Sequence, residues 1–115
     1  MLTKTEIINK AFDGIIKQGR KSLASYSDTR CLYRGVEGTK CAVGQLIPDE
    51  LYDGDMEEIA ITEEGSALWK ALEGVGCNYD SHMDLLKNIQ KVHDLKTVAE
   101  WPEYKEFYLK KHKDQ

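Results

Sequence analysis

Leu2-Thr3-Lys4-Thr5-Glu6-Ile7-Ile8-Asn9-Lys10-Ala11-Phe12-Asp13-Gly14-Ile15-Ile16 reads as an amphipathic helix from its first residues. Thr3 and Glu6 form a T-x-x-E capping box, in which each side chain accepts a hydrogen bond from the other residue's backbone N–H. Leu2 before the cap and Ile7 after it are placed to make a hydrophobic staple. Ile7, Ile8, Ala11, Phe12, Ile15 and Ile16 recur at helical spacing and paint one wide apolar face. Lys17, Arg20 and Lys21 suit the negative end of a helix dipole, and Gly19 is a stop. The spacing predicts a helix over residues 4–18.

The same period returns downstream. Thr62 is a candidate cap for a helix through Glu73, with Leu68, Trp69 and Leu72 inward and Gly74 as its end. Ser81 and Asp84 repeat the capping-box pattern ahead of Leu85, Leu86, Ile89, Val92 and His93. Pro102 suits the first position of a final helix carrying Trp101, Tyr104, Phe107 and Tyr108. Between the first helix and these, residues 22–30 are polar and read as a loop. Cys31-Leu32-Tyr33-Arg34 and Thr39-Lys40-Cys41-Ala42 flank Gly35-Val36-Glu37-Gly38, which predicts a β-hairpin. Such a ribbon is marginal alone and must pack on the helices. The run Ala42–Ile47 is open to strand or short helix, and Pro48 ends either. Residues 49–61 read as an acidic loop with one helical turn at Asp49–Tyr52. The expectation is a mainly α (α+β) fold, four to five short helices packed with one small β-hairpin, in a single globular domain over residues 1–115.

The chain's 115 residues bury enough surface to fold without staples. Its 41% hydrophobic and 31% charged residues are those of an ordinary globular protein. No apolar run is long enough to span a bilayer, and the first residues lack a signal-peptide core. The expected compartment is therefore the cytoplasm. Three cysteines, Cys31, Cys41 and Cys77, are an odd number without C-x-x-C spacing, which argues against a disulfide framework or a zinc ribbon. The net charge of −4 disfavours direct nucleic-acid binding. That charge is unevenly spread. Residues 1–40 hold eight Lys/Arg against four acids, whereas residues 41–69 hold eight acids and no Lys or Arg.

Cys31-Leu32-Tyr33-Arg34-Gly35, then Lys40-Cys41-Ala42-Val43-Gly44-Gln45-Leu46-Ile47-Pro48-Asp49, then Ile89-Gln90-Lys91-Val92-His93-Asp94 and Trp101, resemble a group of small, uncharacterised phage and prophage-encoded proteins. The resemblance covers roughly residues 3–101. It implies a phage accessory protein that modulates or inhibits a host process, in host takeover or anti-defence, and it brings no catalytic residues with it.

Five candidate sites follow from residue chemistry. Cys41 with His93 and Asp94 is the enzyme-like set, because a thiolate near a histidine that a carboxylate orients is an activated nucleophile. The competing reading makes Cys41 a small buried hydrophobe and His93 part of the apolar helix face. Tyr33, Arg34, Lys40 and Cys41 form a candidate site for a small anionic ligand, with Arg34 and Lys40 supplying charge and Tyr33 a stacking face. The alternative pairs Arg34 and Lys40 with the acidic segment. Asp53, Asp55, Glu57 and Glu58 lie in an acidic stretch, Asp49–Glu64, whose apolar Leu51, Tyr52, Met56 and Ile59 suit a host-protein interface, against a merely solvated loop. Metal sites match poorly. Cys77 and His82, with His93, fit no common zinc spacing. Asp53, Asp55, Glu57 and Glu64 fall on a calcium-loop template that has Glu58 where glycine is needed. The combined expectation is a non-enzymatic protein binding a host protein or a small anionic ligand, with no cofactor, no metal and no membrane contact. Self-association stays open, and the alternative is a cysteine-dependent hydrolase or transferase.

Overall fold

The computed structural model describes residues 1–25 and 28–113. Helix α1 spans Lys4–Gln18, and both halves of its capping box are made. Thr3 Oγ1 accepts from the Glu6 amide at 3.0 Å, and Glu6 Oε1 accepts from the Thr3 amide at 2.9 Å. Gly19 closes the helix in the left-handed region at φ 76°. Three more helices follow: α2 at Ala67–Gly74, α3 at Tyr79–Leu95 and α4 at Trp101–Lys111. The fold is mainly α with a small β element. Helix α1 is its centre, packing on α3, on α4 and on a short 3₁₀ turn at Gly44–Leu46. Ile7, Ile8, Phe12 and Ile15 from α1 meet Leu86 and Ile89 from α3, Trp69 from α2 and Trp101 from α4 in one buried cluster. No helix among the described residues is long and apolar enough to cross a membrane.

Both internal caps differ from expectation. Ser66, not Thr62, starts α2, its hydroxyl accepting from the Trp69 amide at 3.3 Å. Gly65, at φ 75°, stands between the two and interrupts any helix begun at Thr62. The Thr62 carbonyl instead accepts from the Tyr79 hydroxyl at 2.7 Å. Asn78 starts α3 three residues ahead of Ser81, its side chain accepting from the Ser81 amide at 3.0 Å. His82 Nδ1, one residue further on, accepts from the Asn78 amide at 2.9 Å, the bond that a glutamate at the third helical position makes in a capping box.

The ribbon also moves. Its strands are β1, Leu23–Ser25, and β2, Asp28–Cys31, antiparallel with Leu23 opposite Cys31 and Ser25 opposite Asp28. Residues 22–30 are therefore not a plain loop, although Tyr26 and Ser27 within it lie outside the described residues. The expected hairpin of 31–34 with 39–42 shrinks to a single bridge, Arg34 with Lys40, closed by a 3₁₀ turn at Val36–Gly38. The reason is where the backbone amides go. Those of Tyr33 and Arg34 donate to the Glu57 carboxylate, and that of Lys40 donates to the Gln18 side chain. With those three amides diverted, the Gly35 amide bonding the Thr39 carbonyl at 2.8 Å closes the bridge and the ladder goes no further.

From Val36 to Glu58 the chain runs through four 3₁₀ turns, at Val36–Gly38, Gly44–Leu46, Asp49–Leu51 and Gly54–Glu58. Two glycines admit it to the helical core by close approach. A Cβ on Gly44 would sit 2.2 Å from the Tyr33 carbonyl oxygen, and one on Gly14 would sit 2.3 Å from Gln45 Oε1. Glycine inside a helix costs about 0.5–1 kcal/mol relative to alanine, so Gly14 is explained by the Gln45 side chain lying on α1.

Candidate functional site

The last two turns of α3 carry Gln90, His93 and Asp94 toward the irregular segment. Gln90 Oε1 accepts from the Val43 amide at 3.0 Å, and Gln90 Nε2 donates to Asp94 Oδ1 at 2.8 Å. His93 Nδ1 lies 2.8 Å from the same Asp94 oxygen, and His93 Nε2 accepts from the Ser22 amide at 3.1 Å. A backbone amide can only donate, so Nε2 presents its lone pair and Nδ1 carries the proton. The ring is fully buried and stacks on Trp101 with centroids 5.4 Å apart. His93 is thus fixed in one tautomer and one orientation.

Against Asp94 the structure brings Cys31, from β2. The donor atoms of Cys31, His93 and Asp94 all lie within 4.8 Å of one another. Cys31 and Asp94 border a cleft of about 120 Å³ lined also by Leu32, Tyr33, Cys41, Glu57 and Gln90, with His93 buried behind Asp94. Burial, and then the charge and hydrogen bond of Asp94, push the Cys31 thiol up to about 11. Burial also pushes the Cys41 thiol well above its ordinary range, and its Sγ accepts from the Gly44 amide at 3.3 Å. Both thiols therefore stay protonated at neutral pH.

Of the enzyme-like set, His93 and Asp94 meet directly and Cys41 lines the same cleft. The cysteine beside the pair is Cys31, which sequence reasoning passed over although it stands in the same quoted motif. A general base needs a free lone pair, and the one on His93 is taken by Ser22. The same fact bears on metal binding. A cation on Nδ1 would displace the proton to Nε2, where the Ser22 amide proton already points.

The hairpin cations and the acidic segment are joined to one another. Glu57 accepts from the Tyr33 amide through Oε1 at 2.8 Å and from the Arg34 amide through Oε2 at 2.9 Å. The Tyr52 hydroxyl adds a bond to Oε2 at 2.5 Å. Arg34 donates through Nη1 to Asp49 and through Nη2 to the Ile47 carbonyl at 2.5 Å, and it lies over the Tyr52 ring at 4.7 Å. That bond to Arg34 holds the Asp49 carboxyl below the usual range. Arg34 Nε is buried without a partner. Lys40 Nζ is 3.8 Å from Asp49. Tyr33 donates its hydroxyl to the Ile59 carbonyl at 2.7 Å, so its ring is a strut between the bridge and the acidic segment.

Asp53, Asp55 and Glu58 are exposed, whereas Glu57 turns inward. That inward turn removes the fifth position of the calcium-loop template. Cys77 is buried near the start of α3, and burial pushes its thiol up to about 11. His82 is held between the Asn78 amide and the Leu2 backbone, and burial lowers its pKa. Besides Cys31, the residues that sequence reasoning missed are the amides Gln18, Gln45 and Gln90. Gln18 sits at the end of α1, where a polar side chain reads as ordinary surface.

Comparison with protein-family models, curated proteins and solved structures finds no match to this chain.

Proposed function

We propose that this is a non-enzymatic binding protein of phage type that modulates a host protein through the acidic face of residues 49–64. One observation carries the reading. Glu50, Asp53, Asp55, Glu58, Glu63 and Glu64 are all exposed, none is paired with a cation among the described residues, and residues 41–69 contain no Lys or Arg. The face is also rigid at its base. Met56 is buried, Tyr52 and Glu57 are bonded to each other, and Leu51 stands 38% exposed among the carboxylates. A fixed acidic surface around an apolar contact complements a basic groove, and such complementarity acts chiefly on association rate. A binding role also agrees with the resting state of the cleft, whose thiols are protonated and whose histidine has both nitrogens engaged.

The test is a pull-down from bacterial host lysate with the wild-type chain beside the triple variant Asp53→Lys, Asp55→Lys and Glu58→Lys. The expected result is a basic host protein retained by the wild type, released by salt, and not retained by the variant. Retention of the same protein by the folded triple variant, unchanged at high salt, refutes the acidic face as the working surface.

A further inference from the structure

On another part of the molecule, a hollow of about 400 Å³ opens beside α1, lined by Gly14, Lys17, Gln18, Gly38, Lys40 and Gln45. Its lining contains two ammonium groups and no carboxylate. Lys17 is exposed at the end of α1 and is paired with no acid among the described residues. Lys40 Nζ lies 3.8 Å from the exposed Asp49 carboxylate, a long surface ion pair that a ligand anion can replace. Arg34, by contrast, is fully engaged through its terminal nitrogens with Asp49 and Ile47. Asp49 therefore keeps a partner when Lys40 turns away from it.

The wall between the two lysines is fixed. Gln18 Oε1 accepts from the Lys40 amide at 2.8 Å, Gln18 Nε2 donates to the Lys40 carbonyl at 3.1 Å, and Gln45 Nε2 reaches the same carbonyl at 3.3 Å. Gly14 supplies a floor without a side chain, and Gln45 lies across it. The Lys40 backbone is thus clamped on α1 while its ammonium is held only by the long pair with Asp49, and the volume is that of a small-molecule site.

We infer that this hollow binds a small phosphorylated molecule, its phosphate held between Lys17 and Lys40. Two compact ammonium charges, that of Lys17 without an acidic partner among the described residues and that of Lys40 in one long ion pair, suit the spread charge of a phosphate monoester or diphosphate. The hollow adjoins the acidic face only where Lys40 nears Asp49, and its test reads a small anion rather than a protein partner.

Isothermal calorimetry with inorganic pyrophosphate, and in a second arm adenosine monophosphate, tests this at matched ionic strength. The expected result is saturable binding of at least one probe, weakened by roughly tenfold or more in Lys17→Ala and in Lys40→Ala. Lys10→Ala, on the same helix but outside the hollow, is expected to bind as the wild type. Tighter binding of adenosine monophosphate would identify a nucleotide, and tighter binding of pyrophosphate a bare phosphate group. No saturable heat from either probe at millimolar concentration overturns the inference. So does affinity retained in the Lys17→Ala, Lys40→Ala double variant, with circular dichroism verifying that each variant is folded.

Discussion

Glu57→Ala separates a surface carboxylate from a structural one. Glu57 belongs by sequence to a solvated acidic run, where truncation changes stability by no more than about 0.5 kcal/mol. In the structure its carboxylate accepts from two consecutive backbone amides, at 2.8 and 2.9 Å, and from the Tyr52 hydroxyl at 2.5 Å. Hydrogen bonds to a charged group contribute about 1.5–3 kcal/mol each when the partner is otherwise left dry. These amides are only partly buried, so water recovers some of that loss. Two amides at about 1–1.5 kcal/mol each and the phenol at about 1 kcal/mol give an expected loss of about 3–4 kcal/mol. Glu57→Gln keeps one acceptor oxygen and should lose about half as much. Urea unfolding followed by far-ultraviolet circular dichroism measures both, with an unchanged m-value verifying a shared unfolded reference. Glu58→Ala, exposed on the same turn, is the control. A loss below about 1 kcal/mol in Glu57→Ala, or one equal to that of Glu58→Ala, would refute the reasoning.

Ile89→Ala, fully buried at the centre of α3, should cost about 2–5 kcal/mol in the same urea assay, and a loss under about 1 kcal/mol would mean the helix face is wrongly placed. Stability should fall as pH drops below about 6.5, because the His82 pKa is lowered in the fold and the unfolded chain takes up the proton first. Melting temperatures at pH 7.5 and 5.5 should differ less in His82→Gln than in the wild type, and equal differences would remove His82 as the cause. All three thiols should react slowly with iodoacetamide at pH 7.5, since burial raises each of them, and rapid labelling of Cys41 detected by mass spectrometry would revive the nucleophile reading.

Helix α1 was legible in the sequence because its signals are local: Thr3 and Glu6 are three residues apart, and Gly19 follows the last apolar position. The starts of α2 and α3 were misplaced because Thr62 and Ser81 match capping chemistry as well as Ser66 and Asn78 do. Only Gly65, in its left-handed conformation, disqualifies the first. The segment between α1 and α2 was not legible, since its bonds join residues far apart in the chain. Lys40 binds Gln18, Val43 binds Gln90, Ser22 binds His93, and Tyr33 binds Glu57. No periodicity records such pairings. The candidate cleft was half legible. His93 and Asp94 are adjacent on a helix, but only the path of β2 selects Cys31 over Cys41 as their neighbour.

Those side-chain clamps shape how the molecule opens. In a sheet, each amide proton is shielded by the neighbouring strand and is released when strands part. Here the amide protons of Ser22, Lys40 and Val43 are shielded by His93, Gln18 and Gln90, side chains carried by α3 and α1. Hydrogen exchange at these three positions is therefore expected to be coupled to lifting the segment off the helices, whereas the Tyr33 and Arg34 amides stay with Glu57 inside it. The three should exchange together, faster than the amides inside α1 and α3, and mark a unit that peels away while the helices stay folded.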